Sequence, residues 1–128
     1  MDLTNDDSGS HMDRSTSAAG EVWWVDFSPS IGREIRDEHP ALVVSVDQIN
    51  QSPWGLIVVI PISERPPGVS LRIHVAIDPP EANLRKPSRI KCDQISKADL
   101  RRFRAKLGKV SPLTLKRVEA VVRMILAL

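Results

Sequence analysis

The 128 residues of the chain, of which 41% are hydrophobic, suffice for one compact domain and are too few for two. The single cysteine, Cys92, excludes an internal disulfide and a cysteine-rich zinc site, and it fits a reducing cytoplasm. No stretch of about 18 apolar residues could cross a membrane and no secretory signal pattern begins the chain, so we expect a cytoplasmic protein.

Charge is distributed unevenly along the chain. Residues 1–19 hold four aspartates and one arginine, a net charge of −3, whereas the rest holds seventeen Lys and Arg against twelve Asp and Glu, a net charge of +5. Thirteen of those basic residues lie between positions 85 and 123, with three acidic ones. Such a density favours a polyanion such as nucleic acid as partner, and it equally fits a well-solvated basic surface.

The first nineteen residues are small, polar and acidic, without apolar periodicity, which predicts a disordered leader over 1–19. Within this segment the tetrapeptide GSHM at 9–12 resembles a vector-derived cleavage scar. We therefore expect the folded domain to span residues 20–128.

The domain reads as a series of short strands. Apolar alternation and β-branched runs predict them at 20–27, 40–46, 56–60, 71–77, 88–95 and 104–110. The run at 56–60, LIVVI, is apolar on both faces and predicts a buried central strand that Pro61 ends. The alternation at 71–77 leaves one face polar and predicts an edge strand.

Two helical segments follow from capping residues. Residues 96–102 fit one helical turn with Ser96 as N-cap and Asp99 three positions on. Ser111 and Pro112 supply the N-cap and first residue of a terminal helix. Its apolar stripe consists of Leu115, Val118, Val122, Ile125 and Leu126. Together these elements predict an α+β fold, a small SH3-like antiparallel β-barrel with a C-terminal α-helix.

Polar residues at the ends of two predicted strands are the candidates for chemistry. Ser63 follows the central strand in a proline-stiffened loop, and His39 closes the eleven-residue loop 28–38. If the two strands are neighbours, their ends bring His39 and Ser63 to one rim with Lys91 and Asp93, where they could surround a phosphate. The alternative at each position is a solvated surface residue.

Other chemistries lack support in the sequence. The histidines, cysteine and carboxylates have no metal-ligand spacing, so we expect no metal. There is no glycine-rich phosphate loop and no nucleophile elbow. His74, on the polar face of a predicted strand, fits a structural or exposed histidine better than a catalyst.

Five segments in order resemble the MazF, PemK and Kid type toxins, the endoribonuclease half of a bacterial toxin–antitoxin pair. They are GEVWWVDFSP, SIGREIRDEHPALVVS, VVIPIS, IKCDQI and EAVVRMILAL, and the resemblance covers residues 20–128. It implies a small barrel with a C-terminal helix, usually a homodimer, which cuts single-stranded RNA without a metal cofactor. It also implies that a MazE-like antitoxin with an acidic, disordered tail neutralises the RNA groove.

The resemblance also implies roles for particular residues. Ser63 matches a catalytic Thr or Ser that binds the phosphate, and Asp93 matches a carboxylate proposed as the general base. His39 stands where the family has an arginine that neutralises the phosphate and exchanges a proton. The residues implied to hold the RNA are Arg33, Glu34, Lys91 and Gln94.

The presence of His39 where the family has arginine leaves two hypotheses open. An imidazole is shorter than a guanidinium side chain and only partly charged at pH 7. In the first hypothesis the phosphate charge is neutralised jointly by Arg33, Lys91 and His39, and the protein cleaves RNA. In the other, activity is weak or lost and the protein acts by binding, as the CcdB type toxins of the same fold do on DNA gyrase. A plain RNA-binding SH3-like module is the third alternative.

Overall fold

The computed structural model describes residues 18–28 and 37–128, so most of the predicted leader and the pair Arg33 and Glu34 lie outside the described residues. Within these ranges the chain forms seven strands and two α-helices. In chain order they are β1 Glu21–Asp26, β2 Glu38–Val43, α1 Asp47–Asn50, β3 Leu56–Glu64, β4 Val75–Ile77, β5 Ser88–Ile90, β6 Ser96–Asp99, β7 Phe103–Lys109 and α2 Pro112–Leu126. Short 3₁₀ turns occupy Glu81–Asn83, Cys92–Gln94 and Leu100–Arg102.

The strands form one antiparallel sheet in the order β4-β5-β3-β2-β1-β7, and β6 pairs with β3 as well. This arrangement, with its C-terminal helix, confirms the predicted α+β class. The second predicted strand lies beside the central one, which meets the condition under which His39 and Ser63 share a rim, and β4 is an edge as predicted. No helix in the described ranges combines the length and apolar composition that crossing a membrane requires.

Successive residues of β1 belong to two different apolar clusters, because side chains alternate between the faces of a strand. Val22 packs with Ile60 and with Val118 of α2 in the first cluster. Trp23 belongs to the second, where its ring meets Phe103 edge-on at a centroid distance of 5.9 Å. Burial of each such side chain contributes about 1.5–3 kcal/mol, so the sheet is held on both faces.

The terminal helix begins as predicted, since the Ser111 hydroxyl accepts a hydrogen bond from the Thr114 backbone N–H at 3.1 Å. Its stripe is shorter than predicted. Val118 is fully buried, whereas Ile125 and Leu126 are 36% and 49% exposed. They continue the same helical face but lie past the part of the helix that packs on the core cluster, so only the first part of the predicted stripe packs on the sheet.

Pro61 does not end the central strand, because β3 continues to Glu64. The ladder to β2 ends at the pair Ala41 and Pro61, so the missing proline N–H is tolerated at that point. On the other edge of β3 the Pro61 carbonyl accepts a hydrogen bond from the Lys91 N–H at 3.0 Å. The residues after the proline therefore stay in the sheet.

The predicted helical turn at 96–102 was half wrong. Ser96–Asp99 pairs with β3 as β6, and only Leu100–Arg102 forms a 3₁₀ turn. The cap is Asp99, whose carboxylate accepts from the Arg101 N–H at 2.9 Å, and hydrogen bonding to Arg101 lowers the pKa of Asp99. Strand pairing with the buried β3 outweighed the local capping signal at Ser96.

Two predicted strands are shorter than expected. The stretch 71–77 is extended only over Val75–Ile77, because its first half turns back, with the His74 N–H donating to the Leu71 carbonyl at 3.3 Å. The stretch 88–95 ends as a strand at Ile90 and continues as the 3₁₀ turn Cys92–Gln94. The second predicted strand, by contrast, begins two residues early, so His39 lies in β2 and not in a loop.

Gly108 of β7 lies directly against the 3₁₀ turn Glu81–Asn83. A Cβ at this position would lie 2.8 Å from the Ala82 carbonyl carbon, and beside it Asn83 Nδ2 donates to the Leu107 carbonyl at 2.7 Å. Only glycine allows this close approach of the two backbones.

Gly108→Ala should therefore destabilise the fold by about 1–3 kcal/mol, because backbone atoms must move to admit the methyl group. Urea unfolding followed by circular dichroism measures the change. The exposed neighbour Lys109→Ala should stay within about 0.5 kcal/mol of the parent. Equal stability of Gly108→Ala and the parent would contradict the described contact.

Candidate functional site

The candidate site lies where β2 and β3 stop pairing. The ladder between them ends at Ala41 and Pro61, and beyond this point β3 pairs with β5 through Ser63 and Arg89. Continuing the β2–β3 register by two residues sets His39 across from Ser63. With no ladder between the two strands here, the space between them is available to a ligand.

A cavity of about 280 Å³ occupies this place and is called the site cavity below. It is lined by Phe27, Asp37, His39, Pro61, Ile62, Ser63, Lys91, Gln94 and Ser96. Four side chains singled out in the sequence, His39, Ser63, Lys91 and Gln94, are thus brought together. They come from β2, from β3 and from the turn between β5 and β6.

The turn between β5 and β6 sets Lys91 and Gln94 against β3. The Lys91 N–H is bound to the Pro61 carbonyl, and the Gln94 N–H donates to the Lys91 carbonyl at 2.8 Å. Between them Cys92 is fully buried, and this burial raises its pKa to about 11. The thiol is therefore protonated at neutral pH and is not a nucleophile; its buried side chain packs the turn against the core.

Asp93 does not line the site cavity. Its Oδ1 lies 2.8 Å from His74 Nε2, and the two side chains are 37% and 13% exposed. This pairing was not predicted, because the residues are nineteen positions apart and no local pattern links them. Asp93, the predicted base, is thus paired with His74 outside the site cavity.

Asp37, which the sequence analysis did not single out, lies against His39. Asp37 Oδ1 is 2.5 Å from His39 Nε2, and both side chains line the site cavity. Phe27, the residue after β1, contacts both members of the pair: its N–H donates to the Asp37 carbonyl at 2.8 Å, and its ring centroid lies 6.3 Å from that of His39. The Asp-x-His spacing, which puts both side chains on one face of a strand, was the available signal.

The Ser63 hydroxyl is buried and has no hydrogen-bond partner among the residues that the structure describes. Buried hydroxyls are normally paired, so Oγ is free to bind a ligand atom. Ser63 also lines a second cavity of about 480 Å³, called the adjoining cavity below, which shares His39 and Ile62 with the first. The two cavities border the same three residues, His39, Ile62 and Ser63, and together they are called the groove below.

An aromatic side chain and several charges distinguish the adjoining cavity. Trp24 of β1 is 38% exposed and lines it, as does Asn83 of the turn that contacts Gly108. Its remaining lining residues are Glu38, Pro40, Glu64, Asn83, Leu84, Arg85, Lys86, Ser88 and Leu107. Trp24 was counted only as a strand residue in the sequence, because alternation does not tell which aromatic is left uncovered.

A buried carboxylate fixes the end of β1 beside the site. Asp26 is fully buried; it accepts hydrogen bonds from the Ser28 N–H at 2.9 Å and the Ser28 hydroxyl, and it pairs with Arg104 at 3.1 Å. Arg102 of the neighbouring turn donates to the Ser28 carbonyl at 2.7 Å. The start of the loop toward Asp37 is therefore anchored to β7.

The groove combines a free hydroxyl, an imidazole with its carboxylate, an ammonium group and an amide. These groups can bind an anion and move a proton. Neither the buried thiol nor Ser63, which contacts no base, is an activated nucleophile, so the arrangement suits a substrate that carries its own nucleophile. In residues 18–28 and 37–128, no three His, Cys, Asp or Glu side chains are grouped closely enough to hold a metal ion.

A small antiparallel β domain with a C-terminal helix and an anion-binding groove at the end of its central strand is the class that the fold and site define. A family profile described as the PemK-like, MazF-like toxin of type II toxin–antitoxin system matches residues 18–126. The chain belongs to this family.

Individual relatives agree with this assignment. The chain is 27% identical over 109 residues to "Endoribonuclease MazF9" of Mycobacterium tuberculosis, which covers 82% of the chain and 92% of that protein. The crystal structure of MazF from Deinococcus radiodurans is similar with a TM-score of 0.70 and 25% identity, over 88% of this chain and 97% of that one. A MazE–MazF structure from the same organism has a TM-score of 0.72 and 24% identity, over 88% and 96%.

Proposed function

We propose that the protein is an endoribonuclease toxin that cuts single-stranded RNA at short sequences without a metal. The observation that supports it most is the groove of a MazF-like fold that collects an unpartnered hydroxyl, Ser63, with His39 and Lys91. The relative from M. tuberculosis carries the name endoribonuclease. RNA supplies its own nucleophile, the ribose 2′-hydroxyl, which fits a groove without one.

In the proposed reaction the 2′-oxygen attacks the adjacent phosphorus and the 5′-oxygen departs, leaving a cyclic phosphate and a 5′-hydroxyl. Ser63 Oγ donates a hydrogen bond to a phosphate oxygen, and Lys91 neutralises charge that develops there. Gln94 binds a neighbouring part of the strand. Asp93, Arg33 and Glu34 stay predictions from the family resemblance, with Asp93 as base and the other two as RNA contacts.

Sequence selectivity is proposed to come from the adjoining cavity. Single-stranded RNA is commonly read by bases that stack on aromatic side chains and offer their edges to polar groups. The half-exposed Trp24 gives such a plane, and Asn83 and Glu64 line the same cavity. A base next to the cleaved phosphate would reach it, since Ser63 lines both cavities.

We propose a MazE-like antitoxin as the partner that neutralises the toxin in the bacterial cytoplasm. Solved relatives include a MazE–MazF structure and an endoribonuclease in complex with its cognate antitoxin from a mycobacterial species. The net charge of +5 over residues 20–128 would attract an acidic antitoxin segment. A segment that folds onto the groove would block RNA.

We also propose a homodimer formed through the end of α2. Met124, Ile125, Leu126 and Leu128 are exposed there. Beside them an open groove of about 430 Å³, partly lined by Val44, Val58 and Val122, separates the helix from β3. A second copy would cover this apolar surface.

Ser63→Ala should lower the cleavage rate by about 100-fold, because one preorganised hydrogen bond to the reacting phosphate is lost. The measurement is single-turnover cleavage of a long single-stranded RNA in EDTA, with the ends mapped. Ser70→Ala, in an exposed loop, is the matched control and should cut at the parent rate. An unchanged rate for Ser63→Ala would remove Ser63 from the mechanism.

Leu126→Asp should shift the protein from dimer to monomer in analytical ultracentrifugation, because a charge replaces an apolar side chain in the proposed interface. Leu113→Asp, exposed at the opposite end of α2, should leave the dimer intact. A parent that sediments as a monomer, or equal loss of dimer in both variants, would refute this interface.

A further inference from the structure

The closest contact between ionisable side chains in the site cavity joins Asp37 and His39, and the family resemblance assigns Asp37 no role. Resting on the proposed ribonuclease function, we propose that His39 is the general base for the 2′-hydroxyl and that Asp37 is the residue that positions it. This pair replaces Asp93 in the mechanism.

The contact determines which imidazole nitrogen can accept a proton. An ionised carboxylate only accepts hydrogen bonds, so His39 Nε2, 2.5 Å from Asp37 Oδ1, carries the hydrogen. The neutral ring then has its lone pair on Nδ1. Asp37 selects this tautomer and stabilises the imidazolium that forms when Nδ1 takes a proton, as carboxylates do for catalytic histidines.

Backbone contacts fix the positions of Asp37 and His39. His39 lies within β2, where its backbone pairs with Val25 of β1. The Asp37 carbonyl is bound by the Phe27 N–H, and the Phe27 ring lies beside the imidazole. Because Asp37 and His39 are two residues apart, both side chains can lie on the face that borders the cavity.

Asp93 is less well placed for the same role. Its carboxylate is engaged by His74 and does not line the site cavity, whereas His39 lines both this cavity and the adjoining one with Ser63. An imidazole can accept a proton near neutral pH, which the arginine of other family members does far less readily. The exchange to His39 thus supplies a base at this position.

The step balances with groups of the site cavity. His39 Nδ1 takes the proton of the 2′-hydroxyl, the bond from O2′ to phosphorus forms and the bond from phosphorus to O5′ breaks. The departing O5′ takes a proton from the Lys91 ammonium group. The imidazolium then returns its proton to Lys91 through solvent, and no oxidant, reductant or metal is consumed.

Charged groups surround His39 from several elements. Asp37, the residue before β2, contacts it, and Lys91 lines the site cavity from the turn after β5. The adjoining cavity carries Glu38, Glu64, Arg85 and Lys86. Among all of these, the Asp37 carboxylate is the group in direct contact with the ring.

A double-mutant cycle tests the pair by cleavage of single-stranded RNA in EDTA. His39→Ala should slow cleavage by about 100-fold, within the range for loss of general base catalysis, and added imidazole should restore part of the rate. Asp37→Asn should slow it by about tenfold, and Asp37→Glu should recover most of the loss. In the His39→Ala background Asp37→Asn should change the rate by less than about twofold, since a positioning residue acts only through the base.

Asp47→Asn, exposed on α1, is the matched control and should cleave at the parent rate. Thermal unfolding of each variant checks that the fold is intact. The inference is overturned if Asp37→Asn cleaves like the parent, or slows cleavage equally with and without His39. It is also overturned if Asp93→Asn abolishes cleavage while His39→Ala spares it. A parent protein that leaves RNA intact defeats the proposed function itself, which is a separate result.

Discussion

The change of partners along β3 is the constraint on which the site depends. Its first half pairs with β6 on one edge and ends its ladder with β2 on the other, and from Ile62 onward it pairs with β5. Pro61 lies where these ladders meet, and its carbonyl receives the Lys91 N–H. Because β2 leaves β3 at this point, side chains that would face each other across a continuous ladder line a groove instead.

Hydrogen-bond satisfaction distinguishes the groove from the scaffold beside it. Ser63 Oγ is buried without a partner among the described residues, whereas the buried carboxylate of Asp26 has several hydrogen bonds. A fully paired carboxylate such as this stabilises the scaffold, whereas an unpaired hydroxyl can bind a ligand atom. Asp37 and Asp93 each contact a histidine, but Asp37 and His39 line the site cavity, whereas Asp93 and His74 do not.

Much of the fold could be predicted from the sequence, because β1, β2, β3, β7 and α2 follow from alternation, β-branched runs and capping. Strand β6 was missed because its pairing with β3 decided the conformation of Ser96–Asp99, and the end of β3 was missed because a proline is harmless where a ladder stops. Four of the seven predicted site residues meet at one cavity. The Asp37–His39 contact had a local signal in the Asp-x-His spacing, whereas the contact between His74 and Asp93 depends on how the turns are placed, which no local pattern carries.

The central claim is that RNA binds between β2 and β3, and an NMR titration tests it directly. A short RNA whose 2′-hydroxyl groups are replaced by hydrogen cannot be cleaved and can be added to the ¹⁵N-labelled protein. If RNA binds there, the largest shift changes fall on the two cavities, including the Trp24 indole, His39 and Ser63. Changes confined to the end of α2, or none at all, would contradict it.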